Sequence, residues 1–149
     1  MTKIIKRLEQ GMFMLLIYTD GASLGNPGPM GIGIVIYKGD VRIEELSEFL
    51  GEGTNNIAEY TAVVRALETA HRLGEREVHI KSDSELVIKQ LNGEYKVKDV
   101  NLRNLKRKID ELSKHLEVTF EHIPREKNEE ADALSKAAAK RGRGNQTVL

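Results

Sequence analysis

No cysteine occurs in the 149 residues. That excludes disulfides, zinc–thiolate sites and a cysteine nucleophile, and it suits a reducing compartment, so a cytoplasmic location is expected. Long hydrophobic runs are missing too. The most apolar stretch, Met12 to Tyr18, follows Lys3, Lys6 and Arg7 much as a signal peptide would. It falls short of the roughly 20 apolar residues a bilayer span needs, and it ends in Thr19-Asp20 without a small-residue cleavage site. It reads as a core strand, and no membrane association is expected. Net charge is absent, since 23 Lys and Arg balance 23 Asp and Glu, so the chain is not a generally basic nucleic-acid binder. Common nucleotide and metalloprotease signatures are also absent: there is no GxxxxGK[ST] loop, no HExxH, and the glycines from Gly25 to Gly33 follow no dinucleotide fingerprint.

What is present suits one domain. Residues 1–11 form a leader of unknown role, 12–140 the domain proper, and 141–149 (RGRGNQTVL) a segment expected to be disordered. Leu15 to Tyr18 reads as a strand buried on both faces that stops at Asp20, where Gly21 lets the backbone turn. A glycine- and proline-rich connection leads to a second run, Ile32 to Tyr37, and the pair reads as a hairpin. Val41 to Leu50 gives a third strand. Thr54, Asn55 and Asn56 are all capable helix caps, and an apolar stripe from Ile57 to Leu73 ends at Gly74, which places Glu59 in the first turn. Val78 to Ser82 is a strand ending at Asp83. Helices at Ser84 to Leu91 and Val100 to Leu116, a strand at Glu117 to Ile123, and a last helix at Glu129 to Ala139 capped by Asn128 complete the order. The fold class is therefore α/β, a five-stranded mixed sheet of three antiparallel strands extended by two parallel ones and flanked by helices.

Four carboxylates sit at element ends: Asp20, Glu59, Asp83 and Asp132. Ligand sites of open α/β sheets lie at strand carboxyl ends, and both strand-borne acids are there. Four like charges brought together would repel and raise one another's pKa, so such a cluster makes sense around cations. Two divalent ions balance four carboxylates. An all-oxygen, thiol-free donor set points to Mg²⁺, with Mn²⁺ as substitute, and a pair of such ions is the usual clamp for phosphoryl transfer.

The stretches YTDGASLGNPGPMGIG, GTNNIAEYTAVVRALE, IKSDSELVIKQLNGEYKVK and HIPREKNEEADALSKAA resemble, in order, the four motifs of the type 1 ribonuclease H family. The resemblance covers nearly all of Leu15 to Lys140. It implies a ribonuclease H-like fold and metal-dependent hydrolysis of the RNA strand of an RNA/DNA hybrid, leaving 3′-hydroxyl and 5′-phosphate ends. By motif position Asp20, Glu59, Asp83 and Asp132 match the metal-binding acids, with Asp20 bridging two ions. Asn26, Asn55 and Asn56 match amides that contact the hybrid across its minor groove, and Gly21, Ser23, Asn128 and Arg125 join the expected substrate contacts. Amides both donate and accept, which suits the 2′-hydroxyl that distinguishes RNA from DNA. No protein partner is required, and a monomer is expected.

Three departures from the family pattern stand out. Bacterial members often carry a histidine in the loop before the last helix, whereas here the loop is the short Pro124-Arg125-Glu126-Lys127, as in archaeal and plant-like members. His122 precedes it and shares strand parity with Val118 and Phe120, which reads as structural. The tryptophan-rich basic handle of some bacterial members is missing, which leaves the basic residues between Lys89 and Lys108 as the expected grip, and Met30 stands where a glycine is common. Two other readings keep the fold: a noncatalytic nucleic-acid-binding module, against which all four acids are present, and an integrase- or exonuclease-like enzyme, against which the GNPG and TNN elements argue.

Overall fold

The structure is a computed structural model that describes residues 14–147, with side chains through residue 142. The leader 1–11 lies outside the described residues. Five strands, β1 (Leu15–Ser23), β2 (Gly28–Lys38), β3 (Val41–Gly53), β4 (Glu77–Ser82) and β5 (Glu117–His122), form one sheet in the order β3-β2-β1-β4-β5. The first three are antiparallel neighbours, and β1, β4 and β5 run parallel, as expected for the mixed sheet. Helices α1 (Asn55–Arg72), α2 (Glu85–Leu91), α3 (Val100–Ser113) and α4 (Glu129–Thr147) follow the predicted order, with a single 3-10 turn at Arg125–Lys127.

Alternation along β1 and β2 decides which helix covers which face. Ile17, Thr19, Ile32, Ile34 and Ile36 point to the α1 side and are buried there with Tyr60, Val63, Val64 and Leu67, while α3 backs α1 through Leu102 and Ile109. Fully burying each of these larger side chains is worth about 1.5–3 kcal/mol, so this layer is the main apolar store of the domain. Polar groups within it are satisfied: the Tyr60 hydroxyl donates to Gln90 Oε1 at 2.6 Å, and the Thr19 hydroxyl to the Lys81 carbonyl at 3.2 Å. On the opposite side α4 lies across β1, β2 and β3. It comes close because Gly31 and Gly33 offer no side chains: a Cβ on Gly33 would stand 2.1 Å from the Ala131 carbonyl oxygen, and one on Gly31 2.2 Å from that of Ser135.

Several boundaries differ from the sequence expectation for physical reasons. Gly21 is not a turn. β1 continues through it to Ser23, and its missing Cβ instead admits the α1 backbone, since a Cβ would meet Ala58 C and Glu59 N at 2.3 Å. The reversal comes later, around Gly25 at φ +96°. Thr54 takes the cap of α1, accepting from Ile57 N, so Glu59 lies in the second turn rather than the first. The expected disorder of 141–149 is replaced by helix as far as Thr147. Docking against β3 outweighs the poor helix propensity of glycine: Arg141 Nη2 donates to the Ser47 carbonyl at 3.0 Å, and Gly142 is buried against Phe49. Met30 is accommodated because Gly53 leaves room for its thioether.

Replacing Gly33 by alanine should destabilise the domain by about 1–3 kcal/mol, the usual range for forced overpacking. Urea unfolding reads this as a lower midpoint at unchanged slope, and an unaltered midpoint would show that α4 is not seated by this contact.

Candidate active site

Parallel pairing of β1 with β4 sets Thr19 opposite Ser82, the last residue of β4, so Asp20 inside β1 and Asp83 just past β4 lie side by side. The close approach of α1 at Gly21 then brings Glu59 over them. Asp20, Glu59 and Asp83 each offer a carboxylate oxygen within 4.8 Å of the others. Glu59 is 7% exposed and both its oxygens are held, Oε1 by Gly21 N at 3.1 Å and Oε2 by Ser82 Oγ at 3.4 Å. Asp20 is 4% exposed, and Ser135 Oγ donates to its Oδ2 at 2.5 Å.

The fourth acid stands slightly apart. Asp132, in the first turn of α4, lines the same cavity but pairs with Lys136 Nζ at 3.0 Å one turn on. Three carboxylates are thus clustered among the described residues, and the fourth faces them from α4. Burial is the largest influence on Asp20, raising its pKa to about 7; the Ser135 hydroxyl opposes this, and Asp83 and Asp132 add to it. Glu59 is pushed well above its usual range, first by burial and then by Asp20. All-oxygen ligands of this kind, short of positive charge, fit a hard divalent ion of the Mg²⁺ or Mn²⁺ type.

The cavity above the acids has a volume of about 590 Å³. Gly21, Ser23, Asn55, Asn56 and Arg125 of the expected substrate contacts line it. Asn26 braces it from behind, where its Oδ1 accepts from Asn55 N at 3.0 Å while Asn55 Oδ1 accepts from Ser23 N at 2.8 Å. Asn128 departs from both its expected roles. It is 1% exposed, its Nδ2 donates to the Thr19 carbonyl at 2.9 Å, and it ties the start of α4 to β1 rather than facing substrate or capping with its Oδ1. It borders a separate cavity of about 220 Å³ beside Tyr18 and Tyr37 that contains none of the four acids.

A family model described as Reverse transcriptase-like matches residues 18–138. The Ribonuclease HI of Halobacterium salinarum is 42% identical over 123 residues, which are 81% of this chain and 62% of that protein's length. The Ribonuclease H of Syntrophus aciditrophicus is 34% identical over 144 residues, covering 85% of this chain and 81% of that one. The chain belongs to the ribonuclease H family. A ribonuclease H of solved structure, LC11-RNase H1 in complex with an RNA/DNA hybrid, superposes with a TM-score of 0.81 at 42% identity, over 85% of this chain and 97% of that chain.

The loop before α4 is the short 3-10 turn Arg125–Lys127. His122 is exposed at the end of β5, where the strand's parity no longer points into the core. The basic strip is less free than its composition suggests: Lys89 pairs with Glu85, Lys106 with Asp110 and Lys108 with Glu68. Cavity residues outside the expected site are Ala22, Leu24, Ser84, Lys136 and Lys140, with Ser82 and Ser135 behind the acids. Lys136 follows Asp132 by four residues, the helical spacing of their ion pair.

The raised pKa of Asp20 has a consequence for stability in chelator. Unfolded, the group titrates near 3.8, and folded near 7, so between these values the folded state keeps a proton that the unfolded state has lost. The site's contribution is full below the lower value and disappears as pH rises through the upper one. From about pH 5 to about pH 8 in EDTA, the melting temperature of the parent should fall relative to Asp20→Asn, and saturating Mg²⁺ should remove the fall. Parallel pH profiles for the two proteins would contradict the assignment.

Proposed function

We propose that this chain is an endoribonuclease that hydrolyses the RNA strand of RNA/DNA hybrids by a two-metal-ion mechanism, leaving 5′-phosphate and 3′-hydroxyl ends. The observation that carries the reading is the convergence of Asp20 from β1, Glu59 from α1 and Asp83 from the end of β4 beneath a cavity walled by Asn55 and Asn56. Membership of the ribonuclease H family and the hybrid bound by LC11-RNase H1 support the substrate class. Asp20, Glu59, Asp83 and Asp132 would hold the ions. Bound divalent ions supply Lewis acidity to the phosphate and activate water at neutral pH.

The remaining work belongs to the chain. Net reaction joins a water oxygen to phosphorus and breaks the bond from phosphorus to the 3′-oxygen, which leaves as a hydroxyl. Asn55 and Asn56 present amides to the minor groove, where a 2′-hydroxyl can both donate and accept, and deoxyribose cannot. The Asn26–Asn55–Ser23 hydrogen-bond chain fixes that amide edge before substrate arrives. Arg125, Lys136 and Lys140 add positive charge at the cavity wall and suit the phosphate backbone. No tryptophan-rich handle extends this surface and the basic strip is partly paired, so affinity for hybrid is expected to be modest and strongly salt-dependent.

Labelled hybrid, double-stranded RNA, double-stranded DNA, and DNA with a single ribonucleotide should be compared at one salt concentration. Internal cleavage of the hybrid in Mg²⁺ or Mn²⁺ is expected, and Asp83→Asn should reduce it about a thousandfold or more, the loss of several kcal/mol of charge stabilisation. Undiminished cleavage by pure Asp83→Asn would refute the assignment of the acids, and tight hybrid binding without cleavage by the parent would favour a binding module instead.

A further inference from the structure

Ser135 lies on the buried face of α4, one turn after Asp132, and is completely inaccessible to solvent. Its hydroxyl oxygen is 2.5 Å from Asp20 Oδ2 and 2.9 Å from the carbonyl oxygen of Asp132. A hydroxyl has one hydrogen, so it donates to one of these acceptors at a time. The placement follows from the glycines of β2. Asp20 pairs in register with Gly33, and only a helix seated directly on Gly33 and Gly31 brings a short side chain such as serine against the carboxylate.

We propose that Ser135 is a positioning residue for metal binding: by tethering Oδ2 it fixes the rotation of the Asp20 carboxylate so that its remaining lone pairs face Glu59 and Asp83. The proposal rests on the reading that these acids hold divalent ions. The reason for a tether is torsional. The terminal torsion of an aspartate is broad and roughly two-fold, so an untethered carboxylate wanders over a range of orientations. Solvent cannot supply the restraint, because Asp20 is 4% exposed and Ser135 is sealed. A carboxylate has about four lone-pair sites, so one donor on Oδ2 still leaves sites on both oxygens for cations. The demand for orientation also depends on the ion. Mg²⁺ requires near-ideal octahedral geometry, whereas Ca²⁺ accepts irregular shells. Loss of the tether therefore weakens Mg²⁺ more than Ca²⁺. A serine that merely back-bonds to the Asp132 carbonyl within the helix would leave both affinities unchanged, and a general loosening of α4 would lower both alike.

The test is an NMR titration of the isotopically labelled protein with Mg²⁺ and with Ca²⁺ at fixed pH, without nucleic acid, on the parent, Ser135→Ala, Ser135→Thr and Asp20→Asn. Alanine suits a buried helical position, and a melting curve in EDTA verifies the fold. Ser135→Ala should raise the Mg²⁺ dissociation constant about tenfold, as expected for a lost hydrogen bond to a charged group, and that of Ca²⁺ by less than about threefold. Ser135→Thr, which keeps the hydroxyl, should restore Mg²⁺ binding to near the parent value. On hybrid, Ser135→Ala should show a lowered kcat that added Mg²⁺ recovers, at unchanged KM for hybrid. Equal loss for both ions, no change for either, or a folded Ser135→Thr that binds like alanine would overturn the proposal. Asp20→Asn separates the two levels. If it binds Mg²⁺ as the parent does, the metal-site reading itself fails; if it loses binding while Ser135→Ala keeps it, the positioning role alone is wrong.

Discussion

Mutual repulsion among buried carboxylates is the constraint on which this structure turns. Asp20 and Glu59 are almost fully removed from water and lie with Asp83 inside a 4.8 Å cluster, an arrangement that opposes folding at neutral pH unless protons or cations intervene. The apolar layer between the sheet and α1 is the counterweight. Its buried isoleucines, valines and leucines supply the stability against which a charged site can be held open. Burial and mutual repulsion raise the pKa values of Asp20 and Glu59, and a divalent ion held among these acids would relieve that repulsion.

Glycine is the device that assembles the cluster. Two helices must reach the same stretch of β1 and β2 from opposite faces of one sheet, and each does so where the strands lack a Cβ. Gly21 admits the backbone of α1 and with it Glu59, while Gly31 and Gly33 admit α4 and with it Asp132 and Ser135. Neither approach is a turn or a positive-φ requirement. Both are matters of distance, and a methyl group at any of the three positions would displace a functional side chain by moving the helix that carries it.

Much of this was legible in advance. Short apolar runs bounded by turn residues gave the five strands, the apolar stripe from Ile57 gave α1, and Asp20, Glu59 and Asp83, read from the sequence as one group, do lie together. What the chain could not disclose was three-dimensional. Gly21 after a strand-end aspartate looks like a turn, because closeness to a helix leaves no local mark. Asn128 before a helical pattern looks like a cap, yet its amide is spent on the Thr19 carbonyl, a partner 109 positions away. The tail RGRGNQTVL looks disordered because glycine and arginine are poor core formers, whereas Ser47 and Phe49 on β3 hold the helix in place. Nothing in the sequence singles out Ser135 in its alanine-rich helix, and only the register of Asp20 with Gly33 gives its hydroxyl an acceptor.

The central claim is that four carboxylates from four separate elements form one divalent-cation site. Its most direct test is anomalous diffraction from crystals grown with Mn²⁺ and an RNA/DNA hybrid that cannot be cleaved. The account predicts two Mn²⁺ peaks, about 3.5–4 Å apart, within ligand distance of Asp20, Glu59, Asp83 and Asp132. Ordered Mn²⁺ elsewhere on the protein with none among these acids, while the hybrid lies in the cavity, would contradict it.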